Sequence, residues 1–335
     1  MRTMRWLTPT SLGLSVVSAS VFTLFGLVLS DPSSIGVKAV PEVAAIAKSA
    51  PPVFGPSIEV LGVSLAAGSV LDLEYELDRV DYTLALVRNG AGDVPRIFVS
   101  TLPNDMGTID APAERKRLFI TMTLPLILVV NETILADRAR LSRVIDEVRS
   151  GQALAAKDEV WLAELSARYE VEPGNFEALL KRVDIVPPSL ALAQAAVESG
   201  WGTSRFVQEA NALYGERLFA EGFGLVPDDR DLDAAHEVRA FPRLIDSVAS
   251  YVHNLNTHEA YASFRAERAA LRRGRVALEG LTLIDWLQPY SEDRAGYVTT
   301  VRRVIKGNQL WQFDLAELGG TRVAALALPE RRVAR

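Results

Sequence analysis

The chain has 335 residues, room for two domains or for one domain with extensions, and its 49% hydrophobic and 23% charged residues are typical of a globular protein. A net charge of −6 and the lack of a basic run with interleaved aromatic residues give no argument for nucleic-acid binding. Since no cysteine is present, disulfides and thiolate metal sites are excluded, while an oxidising compartment remains compatible with the composition.

The amino terminus predicts a membrane signal. Arg2 and Arg5 precede an uncharged stretch, Leu7–Leu29, that is long enough to span a bilayer. The basic residues before it place the amino end on the cytoplasmic side. A cleaved signal peptide is the alternative, but no small-x-small cleavage site directly follows Leu29, which favours an uncleaved anchor. With either outcome, we expect residues 1–30 to direct the export of the remainder of the chain across the membrane.

A linker and a small module are predicted next. Residues 31–56 contain five prolines among small residues, which favours a semi-extended linker. Residues 57–111 predict a small mixed module. Within it, the alternation of apolar and acidic residues over 71–78 favours a strand with an acidic outer face. Asn89-Gly90 then favours a turn, and residues 96–100 have a β-like composition.

From Ala113 onward the pattern is helical. The apolar run Leu118–Val130 is thirteen residues long and contains Pro125, and this length predicts a buried core helix rather than a membrane span. Residues 215–241, called the flap below, break the helical pattern with glycines and an acidic cluster. Apolar residues at helical spacing predict further helices over 132–148, 157–168, 175–183, 246–256, 259–272, 281–286 and 294–305.

The strongest chemical signal is Glu198, in the segment Ala-Ala-Val-Glu-Ser-Gly-Trp that begins at Ala195. Pro187 and Pro188 open its helix, and Gly200 is expected just past the helix end. Glu198 then lies in the last turn, where the helix dipole disfavours a negative charge by about 0.3–1 kcal/mol. Apolar neighbours add desolvation, so both effects predict a raised pKa, which suits a general acid. A solvated glutamate at a helix end is the alternative.

Further segments follow this motif in a specific order. Residues 187–206 read PPSLALAQAAVESGWGTSRF, and the later segments are 211–215 (NALYG), 236–241 (HEVRAF), 247–258 and 287–291. The series resembles the Bax-type glucosaminidases of glycoside hydrolase family 73, lysozyme-like enzymes that cut bacterial peptidoglycan. The resemblance covers about residues 112–312, and NALYG departs from the family's Asn-Asn-Leu-Phe-Gly at two positions.

The resemblance implies a mainly α (α+β) fold. It consists of a lysozyme-like helical domain over 112–312 with a small β-lobe formed by the flap, followed by a C-terminal tail at 313–335. In the family, the stretch before Val94 can be helical, so strand and helix both remain open for residues 71–78.

The resemblance also implies an activity, hydrolysis of the β-1,4 bond after N-acetylglucosamine, with Glu198 as general acid and no cofactor. The second group is open, because glycosidases commonly use two carboxylates but some rely on the substrate's acetamido group. Glu237 is the best second carboxylate, since it lies where the flap returns to the helical body; a solvated strand-edge glutamate is the alternative. Tyr297, which lies near the catalytic acid in the family, would position water or the acetamido group, unless it is a core tyrosine. Lesser candidates are Glu221, Asp231 and Asp233.

Five further side chains are candidate substrate contacts: Trp201, Asn211, Tyr214, Tyr251 and Tyr290. Tyr214 and Tyr290 are candidate sugar platforms, whereas Trp201 would stack on a sugar or fill the core. Asn211 would alternatively form a structural bond to the Glu198 loop. The sequence shows neither a zinc protease motif nor a Gly-x-Ser-x-Gly elbow, so neither mechanism is predicted.

The predicted partners are peptidoglycan glycan strands and, through residues 1–30, the inner membrane. Two other functions remain open at this stage. A muramidase or lytic transglycosylase shares the fold, and a glycan-binding scaffold with a degenerate site would share the motifs without turnover.

Overall fold

The structure is a computed structural model that describes residues 63–65, 68–218, 222, 224–226 and 237–320. The predicted anchor (1–30) and linker (31–56) lie outside these residues. The same is true of three candidate carboxylates in the flap: Glu221, Asp231 and Asp233.

The described part of the chain is mainly helical, and the predicted fold class is confirmed. The α-helices are α1 (Val70–Asp78), α2 (Leu84–Arg88), α3 (Pro112–Arg149), α4 (Ala156–Arg168), α5 (Phe176–Arg182), α6 (Pro188–Ser199), α7 (Arg205–Ala210), α8 (Leu244–Thr257), α9 (Ala262–Arg273), α10 (Gly280–Leu283) and α11 (Arg294–Gly307). Short 3-10 helices are Met106–Thr108, Glu259–Tyr261, Ile284–Trp286, Gln288–Tyr290 and Leu310–Phe313.

Two small sheets accompany the helices. Strands β1 (Val63–Leu65) and β2 (Ile97–Val99) pair in parallel. The flap contributes β3 (Arg217–Leu218), β4 (Gly224–Leu225) and β5 (Glu237–Arg239), an antiparallel sheet of order β3-β5-β4. The strand expected from the β-like composition of residues 96–100 and the small β-lobe are therefore both confirmed.

Helix α3 runs through the core. Its residues 118–131 are buried on all sides, and α6 and α8 both pack against it. Among the described residues it is the one helix long and apolar enough to cross a membrane, yet 83% of its apolar window is buried inside the protein. Since that apolar surface is already covered by protein, the prediction of a core helix is confirmed.

Residues 71–78 form a helix, so the predicted strand is wrong. Ser69 caps α1 by accepting a hydrogen bond from the Asp72 amide, which satisfies a backbone donor that a helix start leaves unpaired. Only the residues Leu73 and Leu77, four apart, enter the core of the protein from this stretch; Leu71 and Tyr75 are 75% and 65% exposed. The alternation of apolar and acidic residues over 71–78 therefore does not reflect a strand, and the burial of these residues follows the helical period.

The amino-terminal segment shares one hydrophobic core with the helical domain. Phe98, Leu102 and Met106 belong to the same buried cluster as Phe119 of α3. This contact reaches the Glu198 motif, because a Cβ on Gly202 would lie only 2.9 Å from Leu102 Cδ1 and 3.1 Å from Phe119 Cδ2. Gly202 also has a φ of +84°, so the second glycine of the Gly-Trp-Gly sequence is required both by backbone conformation and by space.

The amino end of α6 is fixed by a distant carboxylate. Pro187 occupies the N-cap without a side-chain bond, and Asp314 takes over that role by accepting from the amide and hydroxyl of Ser189, both at 2.8 Å. It also accepts from the Gly280 amide at 3.1 Å. Burial raises the pKa of Asp314 to about 6. Residues near the end of the described chain therefore anchor the helix that carries Glu198.

Candidate active site

Glu198 lies in the last turn of α6, as predicted from the sequence. The helix is buried over residues 188–196, whereas Glu198 itself is half-buried. Gly200 ends the helix in the left-handed conformation with a φ of +58°, which confirms the predicted C-cap. A Cβ on Gly215 would lie 4.0 Å from Oε2 of Glu198, so the carboxylate faces the start of the flap.

A layer of buried tyrosines lies near this carboxylate. Tyr214 and Tyr251 are stacked with their ring centroids 3.8 Å apart, and Tyr290 and Tyr297 are stacked at 5.2 Å. An edge contact of 6.4 Å between Tyr251 and Tyr290 joins the two pairs. The result is a continuous aromatic layer contributed by the flap start, α8, a 3-10 helix and α11.

The pKa values of three phenols in this layer depend on burial and on the charge of Glu198. Burial raises the pKa values of Tyr251, Tyr290 and Tyr297 well above the ordinary value, and the negative charge of Glu198 raises each of them further. For Tyr297 a hydrogen bond with Glu198 acts in the same direction. These tyrosines are therefore neutral hydrogen-bond donors, and Tyr297 forms a hydrogen bond with the carboxylate.

Tyr214, Tyr251 and Tyr290, which were predicted to contact substrate, are buried in the structure. Each is 1% exposed, and the ring faces of Tyr214 and Tyr290 are covered by other tyrosines. A sugar stacks on an accessible ring face, and Tyr214 and Tyr290 offer none in this arrangement, so their burial disfavours the sugar-platform role, which stays a prediction. These rings are instead part of the core of the protein.

Trp201 and Asn211 stabilise the loops on either side of α7. Trp201 is partly exposed, packs edge-on against Phe119 at 5.7 Å and lies under the Lys116 ammonium at 5.0 Å. Asn211 ends α7 in the left-handed conformation, and its amide donates to the Phe241 carbonyl at 3.0 Å. The bond is therefore structural, as the alternative proposed, but its partner is the segment before α8 and not the Glu198 loop.

Glu237 is buried, at 6% exposure, so the alternative of a solvated strand-edge glutamate is wrong. Its two carboxylate oxygens accept from the amides of Gly222 at 2.9 Å and Gly224 at 2.8 Å. A Cβ on Gly224 would lie 2.2 Å from the Val238 carbonyl oxygen. Only glycine therefore allows β4 to approach β5 this closely. Glu237 therefore fixes the turn of the flap, and its role as a second catalytic group stays a prediction.

Sequence reasoning missed Gln194, which it treated as part of a small, apolar helix. The Gln194 side chain is fully buried and bonds to the hydroxyls of both Tyr251 and Tyr297. Its spacing was the available signal, because Gln194 precedes Glu198 by four residues and therefore shares its helix face.

Glu216 is a second residue that the sequence did not single out. It follows Gly215 and is 2% exposed; its Oε2 accepts from the Ser250 hydroxyl at 2.8 Å and lies 3.8 Å from the Arg239 guanidinium. Burial raises its pKa against the opposing influence of Arg239. The carboxyl links the flap start to β5 and to α8.

Comparison with known proteins identifies the family of the chain. Residues 174–310 match the glucosaminidase family, described as mannosyl-glycoprotein endo-beta-N-acetylglucosaminidase. The chain is 33% identical over 219 residues to "Protein bax" of Escherichia coli (strain K12), a match that covers 63% of this chain and 75% of that protein. No solved structure matched with significance. The matched family region contains α6, the flap and α11, and the chain therefore belongs to the Bax-type glucosaminidases, a family of glycoside hydrolases.

Proposed function

We propose that the protein is a peptidoglycan hydrolase that cleaves the β-1,4 bond after N-acetylglucosamine, with Glu198 as its general acid. One observation carries this proposal: a half-buried carboxylate lies at the end of a buried helix and contacts a buried layer of phenols. A carboxyl in such surroundings delivers a proton to the leaving glycosidic oxygen, because burial favours its neutral form.

Water then attacks the anomeric carbon, and Glu237, Tyr297 or the substrate's acetamido group orients the reaction. Glu237 supports the first route by its place on β5, although its oxygens already accept two flap amides. Tyr297 supports the second, because its hydroxyl contacts Glu198 directly. Glu237→Gln separates these routes: loss of the charge lowers kcat about a hundredfold or more if the carboxylate is the base, and only modestly if it holds the flap.

The amino-terminal sequence and the resemblance support a location for the enzyme. Residues 1–30 have the composition of an anchor or signal, and the chain resembles "Protein bax" over most of the length of that protein. We place the enzyme on the periplasmic side of the inner membrane, where glycan strands are accessible. No nucleic acid and no cofactor enter this proposal.

Product analysis tests the activity. Purified peptidoglycan is digested with the wild type, with Glu198→Gln and with Glu209→Gln, and the products are identified by mass spectrometry. Glu209 is an exposed glutamate of α7, so its variant controls for the chemical change itself. We expect reducing N-acetylglucosamine ends from the wild type and the control, and none from Glu198→Gln.

Two results would contradict the proposal. Anhydromuramic ends would identify a lytic transglycosylase, in which an internal hydroxyl replaces water. Unchanged sacculus binding and cell-wall phenotype in Glu198→Gln, with no turnover by the wild type, would identify a glycan-binding scaffold.

A further inference from the structure

Gln194 joins two phenols that come from different helices. The Tyr251 hydroxyl donates to Oε1 of Gln194 at 2.7 Å, and Nε2 of Gln194 donates to the Tyr297 hydroxyl oxygen at 2.8 Å. Gln194 and Tyr297 are 0% exposed and Tyr251 is 1% exposed. These three buried polar groups therefore satisfy one another inside the core, beneath Glu198.

The neighbouring carboxylate sets the direction of these hydrogen bonds. An amide rotated by half a turn would satisfy the same two hydroxyls with every donor reversed, so the amide by itself allows both directions. Glu198 removes this ambiguity. Tyr297 and Glu198 are hydrogen-bonded, and an ionised carboxylate has only acceptors, so the Tyr297 hydroxyl is the donor of this bond.

Once Tyr297 donates to Glu198, its oxygen accepts from Nε2 of Gln194, and Oε1 of Gln194 accepts from Tyr251. We propose that Gln194 is a positioning residue whose amide aligns a one-way series of hydrogen bonds, Tyr251 to Gln194 to Tyr297 to Glu198, and so leaves the acidic proton of Glu198 on the oxygen that Tyr297 does not contact. The inference rests on the proposed role of Glu198 as general acid, and it assigns to α6 the residue that orients that acid.

The series has an electrostatic consequence. Hydrogen bonds in a row polarise one another in a buried environment, so the amide strengthens the last bond, from Tyr297 to Glu198. That bond favours the ionised carboxylate, and weakening it lets Glu198 keep its proton to higher pH. Among the described residues, Tyr251, Tyr290 and Tyr297 respond to the charge of Glu198, and on the flap side Glu216 directly follows Gly215.

Gln194→Met tests the inference, because methionine fills a similar volume without an amide. We expect the basic limb of the kcat/KM profile on soluble peptidoglycan fragments to move upward by about half to one pH unit, the size expected for a weakened hydrogen bond to a carboxylate. Tyr251→Phe removes one oxygen at the far end of the series and should move the limb in the same direction by less. It also keeps the test decisive if Gln194→Met fails to fold.

Asn256→Leu is the matched control. Asn256 is a buried amide on α8, five residues after Tyr251, and it bonds to the Asp184 carbonyl and to Arg268 instead of to the series. We expect this variant to lose stability while the basic limb stays at the wild-type pH. A general loss of core packing would instead affect all the variants alike and leave their limbs in place.

A titration without turnover separates this inference from the proposed function. The Glu198 carboxyl is followed by carbon-13 NMR in labelled protein, with Glu198→Gln providing the assignment. An unchanged carboxyl pKa in folded Gln194→Met and Tyr251→Phe overturns the hydrogen-bond series, even if Glu198→Gln is inactive. Full activity of Glu198→Gln would refute the proposed function, whereas a raised carboxyl pKa in the two variants would still support the series.

Discussion

Replacing Gly202 by alanine tests how the motif loop is held against the core. The added methyl group would lie 2.9 Å from Leu102 Cδ1, 3.1 Å from Phe119 Cδ2 and 3.6 Å from Met106 Cε. These three side chains are 5%, 0% and 0% exposed, so none of them has free space to move into. Overpacking of a filled core costs about 1–3 kcal/mol.

The backbone adds a second cost. Gly202 has a φ of +84°, and an L-residue in that region loses about 1–2 kcal/mol. Alanine recovers about 0.4–1 kcal/mol by restricting the unfolded chain. Together these terms predict that Gly202→Ala lowers the free energy of unfolding by roughly 2–4 kcal/mol, or the Tm by roughly 5–15 °C.

Gly174 provides the matched control. It has the same φ of +84°, but a Cβ at this position would meet nothing within 4 Å. Gly174→Ala therefore reports the backbone cost alone, and urea unfolding of both variants isolates the packing cost as their difference. We expect Gly202→Ala to be the less stable by at least about 1 kcal/mol. Equal stability of the two variants would refute the argument that Leu102 and Phe119 hold the loop.

Three more predictions concern the groups around this core. The folded pKa of Asp314, about 6, lies above the unfolded value of about 3.9, so folding binds a proton and stability increases as the pH falls from 6 to 4. Relative to the wild type, Asp314→Asn should lack this increase in unfolding experiments at several pH values; parallel curves would contradict the assignment. Glu216→Gln removes the charge opposite the buried Arg239 and should cost about 1–3 kcal/mol. A double-mutant cycle with Arg239→Met checks it, and zero coupling would show that the pair does not interact. Ser69→Ala should cost about 1 kcal/mol through loss of the α1 cap, measured by local hydrogen exchange in α1, and unchanged protection there would disprove the cap.

The sequence predicted those features that depend on a few neighbouring residues. Gly200 as a C-cap and the buried run of α3 each follow from a local pattern, and the structure confirms them. The strand prediction for residues 71–78 was wrong for the same reason, because it too relied on a local pattern. Its letters alternate with a period of two, and only the cap at Ser69 and the burial of Leu73 and Leu77 distinguish a helix from a strand.

The chemistry of the site could be predicted only in part, because its contacts join distant segments. Glu198 could be found because its whole motif is contiguous. The aromatic layer could not, since Tyr251 and Tyr297 lie 57 and 103 residues from the amide of Gln194 that they contact. The resemblance placed Tyr297 near the acid, and the other tyrosines were recognised as candidate substrate contacts, but their burial is a property of the packed helices.

This arrangement explains why polar residues occupy the core at this point. An isolated buried amide or phenol costs free energy, yet Gln194, Tyr251 and Tyr297 satisfy one another and end at Glu198. An apolar layer of the same volume would also support α6, but it would offer the carboxyl no donor and would leave its two oxygens equivalent towards the core. The proposed hydrogen-bond series would make them different, and a general acid at Glu198 would need that difference to present its proton in one direction.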